Sequence, residues 1–126
     1  MPYVTVRIAL RRGLPWSHES APWTATRHGI AIEAHGPLGH GKLLADETIA
    51  RLAASRGMST AQVLLRWHVQ HGRIVIPKSS RRERMEENLK VFDFELSAEE
   101  IATIDALDKG EDGRSGPNPD VFEWIP

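Results

Sequence analysis

Residues 74–89 read IVIPKSSRRERMEENL, and the way this stretch changes character fixes the expectation for the whole chain. Ile74-Val75-Ile76 is a β-branched run that Pro77 breaks, so it reads as a short strand. Lys78, Ser79 and Ser80 follow, and Ser80 with Glu83 forms the sequence pattern of a capping box that opens a helix. A strand running through a polar turn into a helix is one βα unit.

The same rhythm extends on both sides. Upstream, Val4, Val6, Ile8 and Leu10 alternate with other residues as in a half-buried strand, and Ile30-Ala31-Ile32-Glu33-Ala34 gives another strand that stops at His35-Gly36-Pro37-Leu38-Gly39. Asp46 can cap a helix with the apolar stripe Ile49, Leu52 and Ala53, closed by Gly57. Ser59 or Thr60 starts a second helix, with Ala61, Leu64, Leu65 and His68 on one face and Gly72 at its end. Downstream, Ser97 and Glu100 make another capping box, ahead of a helix built on Ile101, Ile104 and Leu107 and ending at Gly110. Strand, helices, strand, helices predicts a parallel α/β fold. Ligands in such folds sit at the carboxyl ends of strands. Those ends are residues 35–40 and 77–81.

Bulk properties narrow the function by exclusion. The chain has 126 residues, 16 Lys and Arg against 17 Asp and Glu, and no cysteine. One domain at most is expected, without a net basic field for nucleic acid or an anionic membrane. Thiolate metal sites, disulfides and cysteine nucleophiles are excluded. No apolar run approaches the roughly 18 residues of a membrane span, and the N-terminus lacks a signal-peptide pattern, so a cytoplasmic location is expected.

The turn after Pro77 has the chemistry of an anion site. Helix N-terminal amides and the positive end of the helix dipole favour a phosphate there. Lys78 adds a full charge, Ser79 and Ser80 add hydroxyls, and Arg84 brings a flat guanidinium that can stack on a base or grip phosphate. Glu87 and Asn88 lie three and four residues beyond Arg84 and share its helix face. The set suits a phosphorylated purine nucleoside; it equally describes a capped surface helix of mixed charge.

Pro77-Lys78-Ser79, Arg84, Glu87-Asn88 and the run Val91 to Ser97 resemble the closing motif of the aldo/keto reductase family. His28-Gly29-Ile30, Glu33-Ala34, Pro37-Leu38-Gly39 and Gly41-Lys42 are similar to the family's seventh strand and following loop. Ala61-Gln62-Val63 and Leu65-Arg66-Trp67 are similar to its next helix. The resemblance implies the C-terminal part of a (β/α)₈ barrel, incomplete here at two to three strands plus helices, from a family that reduces aldehydes and ketones with NADPH. By it, Lys78, Ser79 and Arg84 hold the 2′-phosphate of the adenosine, Arg84 also stacks on adenine, Glu87 and Asn88 bind the adenine edge, and Leu38 and Gly39 lie along the pyrophosphate. It divides the chain into an unassigned segment at 1–27, βα units at 28–110 and a tail at 111–126, where Gly116 to Phe122 resembles the family's substrate-lining tail.

The departures are as informative. His35 and Gly36 stand where the family has an aromatic residue that stacks on nicotinamide and, usually, a serine. The single tyrosine is Tyr3, without an aspartate in the required position before it, so no residue is nominated as catalytic. A family asparagine-glutamine pair is missing from residues 1–27. The expectation is a truncated or frame-shifted chain that joins the family near residue 28, inactive alone and self-associating through open strand edges. NADP(H) is the expected partner, with a small carbonyl substrate only once the barrel is completed. A non-catalytic fragment or partner protein is the alternative. A second rival reads residues 49–63 as a DNA-binding helix-turn-helix, against which stand the neutral charge and the isolated Arg66. His68 and His71, three apart, lack metal-ligand spacing.

Overall fold

The structure, a computed structural model, describes residues 31–109, residues 27, 29 and 112, and the backbone of residues 5–7. Three strands form one sheet in the order β1 (Thr5–Arg7), β2 (Ile32–His35) and β3 (Arg73–Val75). β2 and β3 run parallel, with Ile32 opposite Arg73 and Ala34 opposite Val75. The chain between them supplies two helices, α1 (Glu47–Arg56) and α2 (Thr60–Gln70). After β3 come α3 (Arg82–Leu89), a 3-10 turn at Lys90–Phe92, and α4 (Ala98–Asp105).

β1 departs from the parallel pattern expected from the sequence. It pairs antiparallel with β2, Thr5 opposite His35 and Arg7 opposite Glu33. Alternating apolar residues encode which face a strand buries and say nothing of its direction, so the sequence could not settle this.

Local signals account for the helix boundaries. Asp46 Oδ1 accepts the amides of Thr48 and Ile49 at 2.9 and 3.2 Å, and Gly57 closes α1 at φ 63°. Ser59 caps α2 in a reciprocal box with Gln62, and Ser97 does the same for α4 with Glu100. α4 ends at Asp105, short of Gly110, although Leu107 still packs on the core. The Arg56 guanidinium donates to the Glu100 carboxylate, Nε to Oε1 at 2.7 Å, and joins the end of α1 to the start of α4.

The helices cover one face of the sheet. Ile49, Val63, Leu64 and Ile104 have no exposed surface, and Trp67 and Leu65 are 1% exposed. α2 is the central element, because Gln62 to His68 are all buried. That burial removes the helix-turn-helix alternative: α2 offers no solvent-facing stripe along those residues for a DNA groove. Arg66, the lone cation of that reading, is buried too.

The buried polar residues of α2 hold the next segment in place. Gln62 Nε2 donates to the Glu87 carbonyl at 3.2 Å, and Arg66 Nη1 donates to the Val91 carbonyl at 3.2 Å. Gln70 both receives the Leu96 amide (2.8 Å) and donates to the Leu96 carbonyl (3.0 Å). α3 has no buried residue of its own, so this polar seam positions it. On the sheet's other face, among the described residues, Ile74 and Ile76 are 48% and 66% exposed.

Candidate functional site

Because β2 and β3 are parallel neighbours, the chains leaving their carboxyl ends emerge along one edge of the sheet. That brings the Pro37-Leu38-Gly39 segment and the Pro77 to Arg81 turn to the same end of the fold, as the sequence reading required.

The turn after β3 forms differently from the expected capping box. Arg81 is the N-cap residue in extended conformation, and no side chain caps the helix. Ser79 Oγ instead accepts the Arg81 amide at 3.1 Å, which leaves Ser80 one residue too early to reach the first turn. The first intrahelical bond runs from the Met85 amide to the Arg81 carbonyl. The amides of Arg82, Glu83 and Arg84 therefore lie at the positive end of α3 without intrahelical acceptors.

Lys78, Arg84 and Glu87 are exposed, and Ser79 and Asn88 are half-buried. Arg84, Glu87 and Asn88 occupy positions i, i+3 and i+4 of α3 and share one face. Asn88 and Pro77 also line a hollow of about 350 Å³ with Leu65, Val75, Met85, Leu89, Val91 and Phe92. Lys78, Ser79, Arg84 and Glu87 stand outside that hollow. Arg82, the first residue of α3, is paired with Glu86 at 2.8 Å.

The segment after β2 is a built turn. Gly36 and Gly39 have φ of 64° and 58°, a region costly for other residues, and the Gly39 amide donates to the Gly36 carbonyl at 2.8 Å. Gly39 is buried, and a Cβ there would lie 2.8 Å from Leu43 Cγ. Leu38 is half-buried and packs against the core. Gly39 thus shapes the turn, and its own amide is already bonded within it.

His68 is a residue whose role here the sequence did not reveal. It is fully buried, and its Nε2 lies 3.0 Å from the Pro37 carbonyl. Nδ1 faces Arg73 Nη1 at 3.5 Å, and the ring meets Trp67 edge-on at 4.7 Å. Burial, and then the Arg73 charge, push its pKa down to about 4. Arg73 lies over the Trp67 ring, 4.7 Å from its centroid. Burial lowers the Arg73 pKa, which the Asp105 charge partly offsets. Trp67 Nε1 donates to Asp105 at 2.8 Å. Trp67 is therefore a packing residue, while Trp16, Trp23 and Trp124 lie outside the described residues.

Among the described residues, no group of three or more His, Asp or Glu side chains could hold a metal ion, and no helix is long and apolar enough to cross a membrane.

The start of α3 and the glycine-shaped turn thus lie at one end of the parallel β2–β3 pair. Comparison with known proteins shows the family. The aldo/keto reductase family model matches residues 18–109, and the chain belongs to that family. The match begins ten residues before the boundary expected at residue 28, so it takes in part of the unassigned N-terminal segment. An aldo-keto reductase of Mycolicibacterium smegmatis is 52% identical over 96 residues, 76% of this chain and 34% of that protein. Glyoxal reductase of Bacillus subtilis is 51% identical over 92 residues, 73% of this chain and 33% of that protein. The chain thus spans about a third of the length of these curated relatives. The crystal structure of a Gox0644 mutant in complex with NADPH superposes with a TM-score of 0.79 at 38% identity, covering 86% of this chain and 40% of that one.

Proposed function

We propose that this chain supplies the adenosine end of an NADPH site and makes up the C-terminal βα units of an aldo/keto reductase barrel. Lys78 and Arg84 provide the positive charge for a 2′-phosphate, with Ser79 and the amides at the start of α3 as further donors. Arg84 stacks on adenine, and Glu87 and Asn88 meet its edge. Leu38 and the turn closed by Gly39 run along the pyrophosphate. The observation that carries this reading is the juxtaposition of the two turns at one edge of a parallel β2–β3 pair, and the NADPH-bound neighbour supports it.

In the full family activity the cofactor delivers hydride to an aldehyde or ketone. Carbonyl reduction also needs a proton donor beside the carbonyl oxygen, and the sequence's one tyrosine is Tyr3. We therefore assign these residues a part in cofactor binding and nominate none of them as catalytic. His35 and Gly36, replacing the family's aromatic residue and serine, weaken the nicotinamide end. A small carbonyl substrate enters the account only with a completed barrel, and the exposure of Ile74 and Ile76 fits a sheet face that further strands would cover. The same exposure favours the second reading, a non-catalytic partner that docks through this face.

Titration with NADPH, followed by its fluorescence, tests the assignment. Saturable binding that is lost in Arg84→Ala is the expected result. Equal binding by the variant removes the adenosine site from α3.

A further inference from the structure

We propose that His68 is a positioning residue for the cofactor: its imidazole pins the Pro37 carbonyl and so holds the Pro37–Gly39 turn in the shape that meets the pyrophosphate. The inference rests on the NADPH reading above and adds to it a residue that lies in neither candidate motif.

Within the turn, the Gly39 amide is bonded to the Gly36 carbonyl and the Gly41 amide to the Leu38 carbonyl. The Pro37 carbonyl is instead met from α2, by His68 Nε2 at 3.0 Å. A carbonyl can only accept, so Nε2 must carry the proton. Arg73 Nη1, which can only donate, faces Nδ1 and calls for the same tautomer independently. The two neighbours agree, and Trp67 fixes the ring from the side. His68 is fully enclosed. Removing its N–H would strand the Pro37 carbonyl on a buried residue where water cannot easily replace it. The turn would then shift to regain a partner, moving Leu38 and Gly39. Lys78, Ser79, Arg84, Glu87 and Asn88 belong to a separate segment, whose far end Gln62 and Arg66 hold at the Glu87 and Val91 carbonyls, so they would stay.

This separation gives a discriminating experiment. NADP⁺ engages both turns, whereas 2′-AMP engages only the second. His68→Phe should weaken NADP⁺ binding about tenfold, the effect of one unmade buried hydrogen bond, while 2′-AMP binding changes less than about twofold. His68→Gln, whose amide nitrogen can still donate to Pro37, should restore most of the NADP⁺ affinity. Nitrogen-15 spectra of the unsubstituted protein give a reading that does not depend on any variant folding, and should show the Nε2–H tautomer. The opposite tautomer, unchanged NADP⁺ binding by His68→Phe, or equal loss of both ligands would each overturn the inference while leaving the cofactor assignment intact. If the unsubstituted chain binds neither ligand, the cofactor assignment itself falls and the inference with it.

Discussion

Acidification should destabilise this protein through His68 at a pH where most surface histidines titrate harmlessly. Above pH 6.5 the imidazole is neutral in both folded and unfolded chains, so it adds no pH dependence. Between 6.5 and about 4 the unfolded chain takes up a proton that the folded chain refuses, because burial and the neighbouring Arg73 charge disfavour the imidazolium. Stability should therefore fall by about 1.4 kcal/mol per pH unit over that window, about 3 kcal/mol in all, and level off below pH 4 as far as this group is concerned. That is a large part of the 5–15 kcal/mol roughly typical of a folded domain. Urea melts at steps from pH 7.5 to 4, run on the natural chain and on His68→Gln, isolate the effect. The variant keeps a hydrogen-bond donor and has no titrating group, so other ionisations cancel in the difference. The difference should be flat above pH 6.5 and slope steadily below it. Parallel curves down to pH 4 would refute the reasoning and return His68 to an ordinary solvated histidine.

Other consequences follow from the packing. Gly39→Ala forces a Cβ to within 2.8 Å of Leu43 at a φ of 58°, and should cost about 1–3 kcal/mol in a denaturant melt. Trp67→Phe keeps a ring under Arg73 but loses the 2.8 Å bond to Asp105, a destabilisation of about 1–3 kcal/mol by the same assay. The exposed Ile74 and Ile76 should drive self-association, visible as a concentration-dependent sedimentation coefficient. Ile76→Glu should reduce it, since that side chain is 66% exposed and contributes little to the core.

Much of the fold was legible because its signals are local. Asp46, Gly57, Ser59 and Ser97 each mark a helix end by chemistry that needs no distant partner, and each does so in the structure. The Ser80 cap failed because the helix begins one residue later than the pattern predicts, with Arg81 at its N-cap and Ser79 Oγ bonded to the Arg81 amide. The direction of β1 was hidden because side-chain alternation is the same in either sense. The polar seam of Gln62, Arg66 and Gln70 was also hidden. On a helical pattern these residues read as its wet face, and their partners lie about 25 residues downstream. His68 was placed correctly on the buried face of α2, yet its bond to Pro37 joins residues 31 apart and leaves no trace in spacing. At the candidate site, the sequence nominated the segments, and the structure added how the turns between them are held.

The central claim is that the turn from Pro77 into α3 grips the 2′-phosphate and purine of NADPH. Amide and side-chain chemical shifts recorded during a 2′-AMP titration test it residue by residue. The account predicts saturable shifts confined to Lys78 through Asn88, led by Ser79, Arg84 and the Asn88 side-chain amide, with residues 38 and 39 still. Shifts centred elsewhere, or none at millimolar ligand, would contradict it.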